Sequence, residues 1–341
     1  MKVIFQVVIV ASLSAFSGGA AIAQDAVAEF YKGKQVKLIS AYAAGGNSAL
    51  YGDVARRHLG KHIPGNPVVI LQNMPGAAGL VATNHMAQRA ARDGTEIALT
   101  SRTAPFEPVY GNERALFDSR TLNWLGSANV ETSVCIANTD SGVASFEDVL
   151  KRELVVGGSA ADALDTIAPN VSNQLLSTRF RIVGGYPLSS DILLAMERRE
   201  VSGFCGVSWP SLKLRYTKLM ESKLFNVLFQ IALEKAPDLP NVPLMQDFAK
   251  DPSDKQVIEL LIAPQGMGRP FFTAPDVPAD RLAALRKAFA ATMADPEFLA
   301  EAAKAGIEIQ YVSGEKVAEI LQRAYATPKP VVERMKKILG K

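Results

Sequence analysis

Val36-Lys37-Leu38-Ile39-Ser40-Ala41-Tyr42 runs directly into Ala43-Ala44-Gly45-Gly46-Asn47-Ser48. The first stretch has the β-branched and aromatic content of a strand, and the second is small and turn-forming. A strand that enters a helix through such a turn leaves backbone N–H groups free at the helix N-terminus. The positive end of the helix dipole makes that place attractive to anions. Leu154-Val155-Val156 followed by Gly157-Gly158-Ser159-Ala160 repeats the pattern more than a hundred residues later. Two such turns suggest two lobes that close on one anionic ligand.

Outward from the first turn, strand and helix patterns alternate. The spacing predicts strands over 36–42, 68–72 and 96–100, with helices over 50–62 and 80–91 between them. This β-α-β-α-β order implies parallel pairing with right-handed crossovers. Ligands of such sheets sit beyond the carboxyl ends of the strands, so the turns at 42–48, 73–79 and 101–105 share one rim. A second unit follows, with strands over 132–137, 154–156, 180–183 and 201–205 and helices over 146–152, 165–177 and 191–199. Pro169 is then expected near the first turn of its helix. A strand over 226–232 and a mainly helical tail (255–263, 279–293, 296–305 and 316–325) complete the pattern. The expected fold is α/β and two-lobed, each lobe a mainly parallel sheet flanked by helices. If the tail packs back on the first lobe, two crossing segments form a hinge.

The N-terminus bears on the compartment. Lys2 precedes an apolar run from Val3, and Ala21-Ile22-Ala23 has the A-x-A form of a cleavage site before Gln24. A secretory signal peptide over 1–23 is expected, cleaved after Ala23, with the mature protein in the periplasm. The run is shorter than the roughly 20 residues of a membrane span. The remaining length exceeds a comfortable single core, which again favours two lobes. The net charge of +3 comes without a basic block, so no nucleic-acid partner is expected. Two cysteines occur, Cys135 and Cys205, both in strand-like runs; in an oxidising compartment they form one disulfide or remain two buried thiols.

Enzyme signatures are sparse. Gly206-Val207-Ser208-Trp209-Pro210 approaches a G-x-S-x-G nucleophile elbow but lacks the final glycine, and reads as a strand end with a buried Trp. No P-loop or G-x-G-x-x-G fingerprint is present. The histidines are His58, His62 and His85. The first two are spaced i, i+4, a separation that can hold zinc, but without H-E-x-x-H they read as polar residues on a solvated helix face. No metal, cofactor or catalysis is expected. Arg102 follows the third strand; as an exposed loop residue it is either solvated or at the ligand.

Several segments in order resemble one family. Val68-Val69-Ile70-Leu71-Gln72-Asn73-Met74-Pro75-Gly76-Ala77-Ala78-Gly79 is similar to the V-V-V-x-N-x-P-G-A-G-G stretch of the substrate-binding proteins of tripartite tricarboxylate transporters, the Bug-type receptors. Ala44-Gly45-Gly46, Asp93-Gly94, Gly158-Ser159-Ala160, Gly185-Tyr186-Pro187 with Asp191, and Pro237-Asp238-Leu239-Pro240-Asn241-Val242-Pro243 resemble further elements of that family. The resemblance implies a periplasmic-binding-protein fold of the Venus flytrap kind, type II-like. Lobe 1 would be 24–130 with 228–341 and lobe 2 would be 131–227, the ligand lying in the cleft between them. It implies a small carboxylate held by Tyr42, Ala43, Gly45, Gly46, Asn47 and Ser48 facing Gly158, Ser159, Ala160 and Asp162. Gly76, Ala77, Ser101, Arg102, Thr103, Gly185 and Tyr186 would line the sides. The implied role is a monomeric receptor that delivers its solute to membrane permease subunits by transient docking. Presentation to a sensor kinase, or a secreted α/β hydrolase, are the alternatives. The chain departs from the family's glycine- and serine-rich second loop, having Ala161 and Asp162 there. Asp162 should disfavour a second ligand carboxylate unless it caps the following helix.

Overall fold

A computed structural model describes residues 18–46, 48–161 and 163–340. The first 17 residues of the expected signal peptide, and the expected site residues Asn47 and Asp162, lie outside the described residues. Ala23, the expected cleavage residue, lies within a helix that runs Gly18–Tyr31. In chain order the strands are β1 (Gln35–Ser40), β2 (Val68–Asn73), β3 (Glu96–Leu99), β4 (Asn123–Ser127), β5 (Ser133–Asn138), β6 (Leu154–Gly157), β7 (Phe180–Val183), β8 (Gly203–Ser208), β9 (Phe225–Ile231), β10 (Pro270–Thr273) and β11 (Val312–Ser313). They form a six-stranded sheet, ordered β11-β4-β10-β3-β1-β2, and a five-stranded sheet, ordered β7-β6-β8-β5-β9.

The pairing is mixed, not mainly parallel as expected. β1 pairs in parallel with β2 and β3 through helical crossovers. β10 then returns from the C-terminal part of the chain and inserts antiparallel between β3 and β4. In the second sheet β6 is parallel to β7 and β8, while β5 is antiparallel to β8 and β9. The chain passes between sheets twice, once after Ser127 and once after Ile231. The expected boundary at 228 cuts β9, which pairs with β5 along its length up to Ile231.

Local sequence explains the layers. β1 alternates exposed and buried residues before its buried end, whereas every residue of β5 is buried, as befits strands covered on one and on both faces. The helix Ala49–Leu59 buries Tyr51, Val54, Ala55 and Leu59, spaced three or four apart, and turns Arg56 and Arg57 away from that face. The aromatic residues Trp124, Phe271, Phe272 and Phe289 are fully buried around the inserted β10. Each such side chain contributes about 1.5–3 kcal/mol on burial. Pro169 lies in the second turn of its helix, not the first, because that helix begins at Leu164. Cys135 and Cys205 are register partners on β5 and β8, both fully buried, and their sulfurs are bonded.

His58 and His62 are not on a solvated face. His58 is buried, and its Nε2 lies 2.6 Å from Glu301; His62 Nε2 lies 2.8 Å from Asp295. His58, Asp295 and Glu297 bring potential metal-ligand atoms together, but the Lys61 ammonium donates to Asp295 at 2.7 Å and to Glu297 at 2.5 Å and so supplies the positive charge itself. Lys61 and His62 hold the Asp295 carboxyl far below the usual carboxylate range, and His58 and Arg57 lower that of Glu301. A carboxyl lowered in the folded state stabilises fully above its unfolded value and loses that contribution as pH falls through the folded one. Melting temperature should therefore fall on acidification below about pH 4, and Asp295→Asn should flatten that limb. Asn retains the helix cap that Asp295 makes to the Glu297 N–H, at 2.9 Å. An unchanged acid limb in calorimetric scans of this variant would remove Asp295 from the account.

Candidate functional site

The rim of the six-stranded sheet is built from three loops that hydrogen bonds tie together. After β1, Tyr42 is anchored three ways. Its N–H donates to Ser40 Oγ at 3.3 Å, its hydroxyl donates to the Thr100 carbonyl at 3.2 Å, and Asn73 Nδ2 donates to its carbonyl at 2.7 Å. Beyond that anchor, Ala43, Ala44, Gly45 and Gly46 are exposed, and Gly45 has a left-handed φ of +83° with open space around its α-carbon. Ser48 stands at the N-cap of the helix Ala49–Leu59 without a side-chain cap, so it satisfies none of the first-turn N–H groups. After β2, Gly76 is followed by Ala77 and Ala78, both with positive φ (45° and 51°). Two consecutive non-glycine residues in that region are strained, at about 1 kcal/mol or more each. Ser101, after β3, holds them: its hydroxyl donates to the Ala78 carbonyl, and it accepts from the Ala104 N–H at 3.2 Å. Thr103 is exposed, with its hydroxyl 3.3 Å from that of Ser101.

Charge gathers where the two sheets meet. Arg102 is not a solvated loop residue: its side chain is 28% exposed, and its Nη1 lies 3.8 Å from Glu131, itself 7% exposed. Among the described residues the Arg102 guanidinium donates no hydrogen bond. Glu131 lies on the first passage between sheets, and its other oxygen accepts from the Ser208 hydroxyl, at the end of β8, at 2.6 Å. Arg269, just before β10, places its guanidinium over the ring of Tyr51 at 5.1 Å and that of Tyr42 at 6.0 Å. It donates to the Gly268 carbonyl at 2.7 Å, while its Nε is buried without a partner. Burial lowers the Arg102 pKa; Glu131 opposes the shift and the Arg269 charge adds to it. Burial likewise pushes the Tyr51 hydroxyl up to about 12, against the nearby Arg269 charge. A small cavity of about 60 Å³ lies among Tyr51, Glu131, Ser208, Arg269 and Glu308. A larger one of about 410 Å³ lies among Trp209, Lys213, Leu233 and Ile320, where the chain passes between the two sheets.

The five-stranded sheet contributes its own rim. The Gly158 N–H donates to the Val183 carbonyl at 2.9 Å, while Gly185 and Tyr186 donate to the carbonyls of Ser159 and Gly158 at 3.3 and 3.2 Å. The expected loops at 158–160 and 185–186 are thus one unit. Its Ser159, however, is occupied from within. The Asp165 carboxylate accepts from the Ser159 N–H at 2.9 Å, from the Ser159 hydroxyl at 2.8 Å and from the Thr166 hydroxyl at 3.3 Å. Asp165 is 7% exposed and is the second residue of the helix Leu164–Leu176. Gly206 closes the wall behind it: its φ is +91°, and a β-carbon there would lie 3.0 Å from the Asp165 nitrogen.

The hydrogen bonds thus group Tyr42, Gly76, Ala77, Ser101 and Thr103 on one rim and Gly158, Ser159, Gly185 and Tyr186 on the other. Ala160 and Ala161 stay exposed beside the second rim. Arg102, Glu131 and Ser208 link the two sides. Sequence reasoning missed Arg269, Glu131, Tyr51 and Asp165. Gly266 and Gly268, just before Arg269, were a signal for the first of these, and nothing local marked the others.

No protein-family model matches the chain, and no curated protein matches it in sequence. Among solved structures, it is similar to a TctC solute-binding protein from Polaromonas, with a TM-score of 0.72 and 16% identity over 89% of this chain and 99% of that one. The periplasmic binding protein BugD is similar at a TM-score of 0.57 and 17% identity, over 90% and 98% of the two chains. MatC from Rhodopseudomonas palustris, solved with bound malate, gives 0.55 and 14% over 90% and 99%. The chain thus shares the two-lobed α/β fold of TctC- and Bug-type periplasmic binding proteins.

Proposed function

We propose that this protein is a periplasmic solute-binding receptor, not an enzyme, which captures a small carboxylate-bearing solute by hinge closure. The observation that carries the reading is the pair Arg102 and Arg269. Their donors are largely unspent, and they stand between the two rims, with Glu131 beside Arg102 and Glu308 on the same small cavity as Arg269. The fold neighbours solved with malate and with adipate support a carboxylate ligand. The lobes follow the two sheets, and the two passages between sheets form the hinge. A ligand that touches both rims only when they approach drives closure. Three or four charge-assisted hydrogen bonds, each about 1.5–3 kcal/mol before ordering costs, suit a micromolar Kd. In this reading the signal segment is cleaved after Ala23, and the closed monomer docks transiently on a permease of the tripartite tricarboxylate type. Among the described residues no helix is long and apolar enough to cross a membrane.

A hydrolase finds no support at Ser208. Its hydroxyl donates to Glu131 and accepts from the Ser211 N–H as a helix cap. The three histidines face Glu301, Asp295 and Glu96 instead.

A thermal-shift screen of mono-, di- and tricarboxylates, aromatic acids and amino acids tests the reading on the purified mature protein. Saturation at a hundred times Kd is worth about 2.7 kcal/mol, so a true ligand raises the melting temperature by several degrees. Folded protein that responds to no acid would refute it.

A further inference from the structure

We infer that the solute carries one carboxylate only, and that the end reaching the second lobe is uncharged. This rests on reading the cleft as a carboxylate site. The second lobe's anion cradle already holds an anion, the chain's own Asp165. Both donors of Ser159 and the hydroxyl of Thr166 are directed at that carboxylate. Its charge also sits in the first turn of the helix Leu164–Leu176, where it consumes the positive end of the dipole. An incoming carboxylate would have to displace Asp165, breaking charge-assisted bonds, or lie beside a like charge. Among the described residues, Ala160, Ala161, Gly184 and Gly185 stay exposed at this rim, and their surfaces are methyl groups and backbone.

The charges at the other end lead independently to the same count. Arg102 and Arg269 stand with Glu131, and Glu308 lines the same small cavity as Arg269, so this end holds no surplus of cations. One solute carboxylate can share the two guanidinium groups; among the described residues of this cavity a second finds no further cation. Lys213, the next base toward the hinge, is held by Asp238 at 2.8 Å and lies 3.9 Å from Glu308. The solute is therefore a monocarboxylate with an apolar or hydroxylated tail, its carboxylate at the arginines and its tail against Ala160, Ala161 and Tyr186.

Calorimetric titration of the mature protein with acids matched in length tests this: hexanoate, ω-hydroxyhexanoate and adipate, and benzoate against terephthalate. The monocarboxylates should bind at least about tenfold more tightly than their dicarboxylate counterparts, the cost of placing like charges together. Asp165→Asn keeps an acceptor for the Ser159 N–H but removes the charge, and should narrow that gap by about the same factor. Tighter binding of adipate or terephthalate by the unmodified protein would overturn the inference and leave the carboxylate cleft standing. An unchanged ratio in a folded Asp165→Asn protein would do the same. Failure of every acid, of either charge, would bring down the cleft reading and this inference together. If Asp165→Asn does not fold, the ratio measured on the unmodified protein still decides.

Discussion

Replacing Arg269 with Gln is expected to weaken solute binding roughly a hundredfold, the loss of one or two charge-assisted hydrogen bonds at about 1.5–3 kcal/mol each. Arg269 holds its place through stacking over Tyr51 and Tyr42 and one bond to Gly268, and its buried Nε is unpaired. Those donors are prepositioned, so little ordering cost offsets their loss. The substitution also leaves Arg102 alone with Glu131, removing a positive charge that draws an anion in. Stability of the unliganded protein should change little, because relief of repulsion between Arg102 and Arg269 offsets lost packing. Arg102→Gln should act in the same direction, and the double variant should fall short of the summed effects, since both residues serve one ligand group. Titration calorimetry against the best acid from the thermal screen reads all three. Wild-type affinity in Arg269→Gln would place the solute elsewhere.

The second large effect concerns the bond between Cys135 and Cys205. It closes a loop with a sequence separation of 70 inside the five-stranded sheet. Removing that constraint from the unfolded chain costs about 4 kcal/mol on the loop-entropy model, a large part of the 5–15 kcal/mol typical of a domain. The double variant Cys135→Ala/Cys205→Ala should unfold at markedly lower urea concentration, yet bind the same acids with similar affinity, since neither residue touches the rims. A midpoint equal to that of the oxidised parent would show that the bridge contributes nothing to equilibrium stability.

The parts of this molecule that could be read from sequence are those whose signal is local. The turn at Ala43 to Ser48 and the strand–helix alternation through the first hundred residues rest on hydrophobic period and small-residue turns, both carried by neighbouring residues. β4 and β10 escaped the reading. Each is a short strand made by pairing with a distant partner, and β4 contains Gly126 while β10 opens on Pro270, residues that weaken a strand pattern. The site divides in the same way. Tyr42, Ser101 and Ser159 lie in loops that their own strands place, whereas Arg269 reaches the rim only because β10 inserts beside β3. The acid at the second loop is a finer case. The sequence pointed to Asp162, which lies outside the described residues; the acid found at Ser159 is Asp165. That Asp165 reaches Ser159 depends on the helix beginning at Leu164, one residue earlier than the sequence pattern suggests, within the ordinary slack of a helix boundary.

The two sheets also differ in how they depend on chain order. All five strands of the second sheet come from one uninterrupted run, Ser133 to Ile231, with the disulfide inside it. The six-stranded sheet is finished only by β10 and β11, from the last quarter of the chain. For a polypeptide that emerges N-terminus first, the second lobe has every partner it needs while β3 and β4 still present bare hydrogen-bonding edges to each other's vacant neighbour. The lobe that begins the sequence is therefore the last whose sheet can be assembled, and the late segment that completes it is the one that delivers Arg269 to the rim.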